Sequence, residues 1–180
     1  MTDTPVDEVA AERLVREQFA IIETGEFERA ESNVTPDFVN HRAATEPIAA
    51  RGQGPSALQA TARWLRSAFS DLRFEIHEFA FSGDRVIVWT TLHGTQTGPF
   101  VGYDPADGSV TDVFPATGRS FAARQVHWFW IADGAIAEHD AVRDDLAMAR
   151  QVGWVPPKPA YAIRMLLARC RAHIRQRGLG

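Results

Sequence analysis

Residues 124–140, RQVHWFWIADGAIAEHD, read as two β-strands around a tight turn. Aromatic and β-branched residues crowd both halves, and Asp133-Gly134 is a turn signal. Side chains alternate along a strand, so Gln125, His127 and Phe129 share one face and Val126, Trp128 and Trp130 the other. One face should line a pocket, and the other should pack in a core or at a subunit interface. The register across the turn decides the chemistry. A two-residue turn sets His127 opposite Asp140 and Gln125 opposite Val142. A three-residue loop with Gly134 in a bulge sets His127 opposite His139 instead. Both remain open, and a slip of one residue turns every side chain over. In the first register Asp140 and His127 form a carboxylate–imidazole pair in apolar surroundings. Desolvation would raise the carboxylate pKa, and a protonated imidazole would oppose that rise. A carboxylate tuned in this way can take a proton from carbon. Gln125 can then donate to the developing enolate oxygen.

Outward from the hairpin, the pattern is helices first and strands after. Residues 6–24 show apolar positions at helical spacing, and Gly25 ends the run. A short helix is expected over 26–32, and Thr35-Pro36-Asp37 reads as a further helix start. Gly54-Pro55-Ser56 opens a helix with Leu58, Ala62, Leu65 and Phe69 on its apolar face. After Asp71 the period changes from helical to alternating. Strands follow over LRFEIHEFAF and RVIVWTTLHGTQTG, joined by a turn at Ser82-Gly83-Asp84. Residues 99–118 form a long, turn-rich connection. The short helix DDLAMARQVG closes the core; Asp144 and Asp145 suit its N-cap and Gly153 its C-cap. This order gives an α+β fold: a curved antiparallel sheet covered by N-terminal helices, enclosing a conical pocket. Residues 1–154 make that domain. Residues 155–180 make a proline-containing linker and a basic C-terminal helix with Ile163, Leu166, Leu167, Cys170 and Ile174 on one stripe. That helix is expected to dock on the body with a solvated basic face.

Composition narrows the function. The chain has 180 residues and a net charge of −4. Residues 158–180 carry +6 and no acid, which leaves −10 on residues 1–157. An acidic body argues against a nucleic-acid partner. No apolar run reaches the roughly 20 residues that span a bilayer, so no membrane partner is expected. The acidic N-terminal stretch lacks a signal pattern, which makes a cytoplasmic location the expectation. A single cysteine, Cys170, excludes an intrachain disulfide, and no Cys/His cluster has zinc spacing.

Three segments carry a resemblance when taken together: FSDLRFEIHEFAFSGDRVIVWTTLHGTQTGPF, FPATGRSF and DGAIAEHDAVRDDLAMARQVG. In order and spacing they resemble the SnoaL-like polyketide cyclase family, within the NTF2-like (cystatin-like cone) fold, over about residues 8–153. The resemblance implies an acid/base enzyme that needs neither cofactor nor metal. In such cyclases a carboxylate on the last strand takes a proton from an activated carbon of an aromatic polyketide ester. The carbanion then closes a ring by intramolecular aldol addition. A Gln and a His two residues apart line the pocket on the preceding strand, and Gln125 and His127 match them. Asn40 is a loose match for a pocket Asn from the early helical region. The chain departs from the family where the catalytic Asp falls at Ala141, and where relatives often have His in place of Gln96. Asp140 and His127 are therefore the expected catalytic pair. Gln125, Asn40, His41, Trp64, His93 and Phe129 are the expected substrate contacts. The expected partners are a hydrophobic polyketide-type small molecule and a second copy of the chain, docked through the aromatic sheet face. Two other readings stand beside this one. An epoxide hydrolase of the same fold would need a second inward acid. A non-catalytic ligand-binding or accessory protein is favoured if Asp140 points outward.

Overall fold

The computed structural model describes residues 7–177. Helix α1 (Glu8–Thr24) begins where Asp7 Oδ1 accepts from the amides of Val9 and Ala10 at 3.1 and 3.3 Å. Those bonds satisfy donors that the first turn would otherwise leave free. It ends at Gly25, whose φ of 82° is the left-handed C-cap conformation. The short α2 (Ala30–Asn33) follows. The segment expected to open a helix at Thr35-Pro36 is instead strand β1 (Val34–Asn40). It pairs in parallel with the last strand at the sheet edge, where Pro36 costs little. Tertiary pairing here overrides the helix-start signature.

Helix α3 (Gly54–Ala68) leads directly into β2 (Phe69–Ser82). Then come β3 (Arg85–Gln96), a small hairpin of β4 (Phe100–Tyr103) and β5 (Val110–Phe114), β6 (Ser120–Ala132) and β7 (Ala135–Arg143). The main sheet has the order β1-β7-β6-β3-β2, antiparallel except for β1 against β7. Helices α1 and α3 cover its inner face. Leu14, Val15 and Phe19 of α1 meet Val86, Val88, Phe129 and Ile136 of the strands, with Phe38 and Leu58 beside them. A second cluster joins Phe69, Leu72, Leu92 and Phe121 to Trp154 and Tyr161 beyond α4 (Asp145–Val152).

The long connection after β3 is clamped. Fully buried Gln96 donates to the carbonyl of Phe114 at 2.9 Å and accepts from Thr117 Oγ1 and Trp154 Nε1, each at 3.0 Å. This glutamine, which stands where the resemblance suggested a His, therefore holds a loop. The last helix, α5 (Pro159–Arg177), packs on β5. It docks with the stripe of Tyr161, Met165, Ala168 and Ala172; Tyr161 donates to the carbonyl of Pro115. The apolar stripe expected to dock faces outward, with Ile163, Leu166, Leu167 and Ile174 all more than half exposed. Ala168 and Ala172 on the docked side let the helix approach β5 closely, while Tyr161 and Met165 pack into the second apolar cluster.

The hairpin register combines a correct expectation with a missed device. At the tip Ala132 pairs with Ala135, as a two-residue Asp133-Gly134 turn requires. Both turn residues have positive φ, 51° and 75°. One pair further on, Ala137 is inserted as a bulge between Ile136 and Glu138. Beyond it His127 lies opposite Ala141, Phe129 opposite His139 and Trp128 opposite Asp140. Neither register expected from the sequence is the observed one.

Candidate active site

Between the two apolar clusters lies a cavity walled by Phe19, Ile22, Phe38, Leu58, Phe74 and Leu92. Its polar groups gather on one side: Gln125 and His127 from β6, His139 and Arg143 from β7, Asn40 from β1, and Thr61 from α3. Gln18 of α1 and the segment after β1, with Arg42 and Glu46, complete the wall. The open interior is about 50 Å³. Sites for drug-sized ligands hold roughly 300–1,000 Å³. A polycyclic ligand thus has to widen this cavity.

The polar groups form one hydrogen-bonded chain. The Gln125 side-chain amide lies 2.8 Å from His127 Nε2. His127 Nδ1 lies 2.9 Å from His139 Nε2, and His139 Nδ1 lies 3.1 Å from Asn40 Oδ1. Asn40 Nδ2 donates to Thr61 Oγ1 at 3.4 Å, and Thr61 donates to Glu46 Oε2 at 2.6 Å. Parallel pairing of Asn40 with His139 across β1 and β7 brings the chain's middle together.

The protons on this chain follow from its fixed ends. Asn40 Oδ1 accepts from the Arg42 amide at 3.0 Å, so it is an acceptor and His139 must donate Nδ1–H to it. Burial, helped by the nearby Arg143 guanidinium, pushes the His139 pKa down to about 3. Burial, then His139, hold His127 well below the usual imidazole range. Both rings are therefore neutral near pH 7. His139 Nε2 then accepts from His127 Nδ1–H, which leaves His127 Nε2 as an acceptor. The NH2 end of the Gln125 amide faces it, since an oxygen there would force a second proton onto His139. Donation thus runs one way, from Gln125 through both imidazoles to Asn40 and, by Thr61, to the Glu46 carboxylate.

Glu46 is 2 % exposed. Burial raises its pKa above the ordinary carboxylate value, and its bond from Thr61 and the charges of Arg143, Arg42 and Arg51 partly offset that rise. Among the described residues it is the one carboxylate in the cavity wall. Buried Gln18 contributes an Oε1 with no partner among the described residues.

The sequence-derived candidates divide. Gln125, His127 and Asn40 line the cavity. Phe129 lies beneath it, fully buried and stacked on His139 at 4.9 Å. Asp140 does not face the cavity. It sits with Trp128 on the opposite face of the sheet, where its Oδ1 accepts from the Ala141 amide at 2.7 Å. The Ala137 bulge is the cause, and it turns Ala141 inward in its place. His41 is exposed and bonds Glu138 at 2.7 Å. His93 lies on the outer face against Glu75 at 2.9 Å. Trp64 is a core residue that donates Nε1–H to the carbonyl of Val101. Gln18, Arg42, Glu46, Thr61, His139 and Arg143 are the polar wall residues that the sequence did not single out as contacts. Among the described residues no group of three or more His, Cys, Asp or Glu is placed to hold a metal ion. Among them no helix is long and apolar enough to cross a membrane.

A curved sheet under helices, with a polar chain buried in an apolar cone, defines the class: a small α+β domain built around an internal polar site. A family model described as SnoaL-like polyketide cyclase matches residues 12–152, and the chain belongs to that family. It is 30% identical over 148 residues to an aklanonic acid methyl ester cyclase, DauD, of Streptomyces sp. (strain C5), covering 81% of this chain and 83% of that one. It is 35% identical over 108 residues to the aklanonic acid methyl ester cyclase DnrD of Streptomyces peucetius, covering 59% and 67%. Among solved structures, TsrD from Streptomyces laurentii superposes with a TM-score of 0.66 at 25% identity, over 82% of this chain and 98% of that one.

Proposed function

We propose that this chain closes a ring in a polyketide-derived keto ester by intramolecular aldol addition; its relatives are named as cyclases of aklanonic acid methyl ester. The observation that carries this reading is the hydrogen-bonded chain itself. An apolar cone suits a polycyclic substrate, and Gln125, His127 and His139 sit on its inner wall. The Gln125 amide, with one N–H turned to His127, keeps a second for an enolate oxygen. Buried donors aimed where charge develops are worth more than in water. Gln18 supplies a further polar contact that a substrate hydroxyl would satisfy.

We further propose that the protein works as a homodimer joined through the outer sheet face, where Trp89, Trp128, Trp130 and Val142 lie.

The outward Asp140 favours one rival, an accessory protein that binds the ligand without turning it over. Ring closure of a tricyclic anthraquinone methyl ester with a β-keto side chain, followed by chromatography, separates the two. Turnover by the wild type, lowered at least 100-fold in Gln125→Leu, supports the cyclase. Tight binding without product supports the accessory reading.

A further inference from the structure

We propose that Glu46 is the base of this site, a carboxylate supplied by the loop after β1 rather than by the last strand. This rests on the ring-closing reading above and adds the group that moves the proton.

The geometry singles Glu46 out. Asp140 lies outside the cavity and Ala141 carries no acid. Glu46 Oε2 is held by Thr61, while Oε1 has no hydrogen-bond partner among the described residues. One oxygen is therefore oriented and the other is available. The charged groups around it come from two elements. Arg42 and Arg51 belong to its own segment, Arg143 comes from β7, and the neutral His139 and His127 follow along the chain. Neither Arg42 nor Arg143 forms an ion pair with Glu46; both reach Asp145 instead, at 3.8 and 3.4 Å. The arginines thus favour the anion from a distance without occupying its oxygens. Arg51 fixes the segment. It donates to the carbonyls of Glu46, Asp104 and Pro105 at 2.9, 2.8 and 3.0 Å. It is a positioning residue.

The chemistry balances with no further reactant. The substrate C–H bond breaks, its proton goes to Glu46 Oε1 and its electron pair becomes an enolate. The enolate carbon bonds to the ketone carbon of the same molecule, and the carbonyl π pair moves to oxygen. Glu46 returns the proton to that alkoxide, so the product is an isomer of the substrate. A buried carboxyl can hold the proton between the two steps, since burial favours its neutral form.

The test follows two signals from the same anthraquinone keto ester in deuterated buffer: ring closure, and deuterium uptake at the acidic carbon. Glu46→Gln keeps an acceptor for Thr61, and Glu46→Asp keeps the charge. Expected for Glu46→Gln is a loss of at least 1,000-fold in both signals with substrate affinity within a few-fold. The acid limb of the wild-type rate, which lies above pH 4.5 because the Glu46 pKa is raised, should vanish with it. Glu46→Asp should keep a measurable fraction, and Asp140→Asn should stay within two-fold of wild type. Deuterium uptake by the wild type without ring closure, lost in Glu46→Gln, would keep the base and overturn the ring-closing reading. Ring closure within ten-fold of wild type in Glu46→Gln would overturn the base and leave the cyclase.

Discussion

At the scale of single residues, the two histidines make the site sensitive to acid in a way that can be signed. Their folded pKa values lie below the unfolded value of 6.5, that of His139 at about 3. Above 6.5 both states are neutral and nothing changes. As pH falls below 6.5 the unfolded chain takes up protons that the folded one refuses, so stability is lost down to the folded pKa. At 1.36 kcal/mol per unit, His139 alone contributes a loss of roughly 3 kcal/mol by about pH 4. Glu46 acts with the opposite sign. Its raised pKa makes the folded state bind the proton better, so it adds stability as pH falls towards 4.5. Urea unfolding measured at several pH values should show a smaller slope below pH 6.5 in His139→Asn than in wild type. An unchanged slope would mean that His139 is not buried neutral. Gln125 and His127 were legible in the sequence because strand alternation assigns a face from local pattern alone. Glu46 was not. It lies in the irregular stretch ATEPIAA, and its partner Thr61 is on a separate helix.

At the scale of elements, one inserted residue decides what the cavity contains. The turn chemistry of Asp133-Gly134 was readable, and the pairing at the tip follows it. A bulge at Ala137 leaves no comparable mark, because alanine neither needs nor excludes the bulged conformation. Inserting one alanine after Ala137 should slide the strand beyond the bulge by one position, with Asp140 opposite His127 and His139 turned outward. The chain from Gln125 to Asn40 would be broken, and turnover should fall at least 100-fold in the ring-closure assay; wild-type turnover would refute the role given to the bulge. The loop that carries Glu46 depends on a different device, the Arg51 side chain joining residues 41–53 to residues 104–109. Charge-assisted bonds of this kind contribute about 1.5–3 kcal/mol each. Arg51→Met should therefore speed amide hydrogen exchange in both segments together. Acceleration in only one of them would show that the two are not coupled. Arg42 and Glu46 of this segment stand in the cavity wall, so exchange in residues 41–53 also reads any widening of the cavity on addition of the anthraquinone keto ester.

At the scale of the whole molecule, two apolar faces lack a partner among the described residues, and charge chooses between them. One is the outer stripe of α5, with Ile163, Leu166, Leu167 and Ile174. On a helical projection Arg164, Arg171 and Arg175 flank it on one side and Arg169 on the other. Two copies joined there would bring arginines against arginines. The sequence located this amphipathic helix but not the side that docks, because close approach to β5 is a property of the packed structure. The other face is the outer surface of the sheet. There Trp89 is 41% exposed and Val142 67% exposed, beside Ile87, Val126, Trp128 and Trp130. An isologous dimer on this face buries aromatic surface in each copy, and any substitution enters the interface twice. Light scattering on the eluted protein should give a mass near twice 20.0 kDa. Trp89→Glu sets two carboxylates in the contact while leaving the core of each subunit untouched, so it should raise the dimer dissociation constant at least 100-fold. Leu166→Glu should leave the mass unchanged. Dissociation by Leu166→Glu with Trp89→Glu still dimeric would move the interface to α5, and a wild-type mass of one chain would remove the dimer altogether.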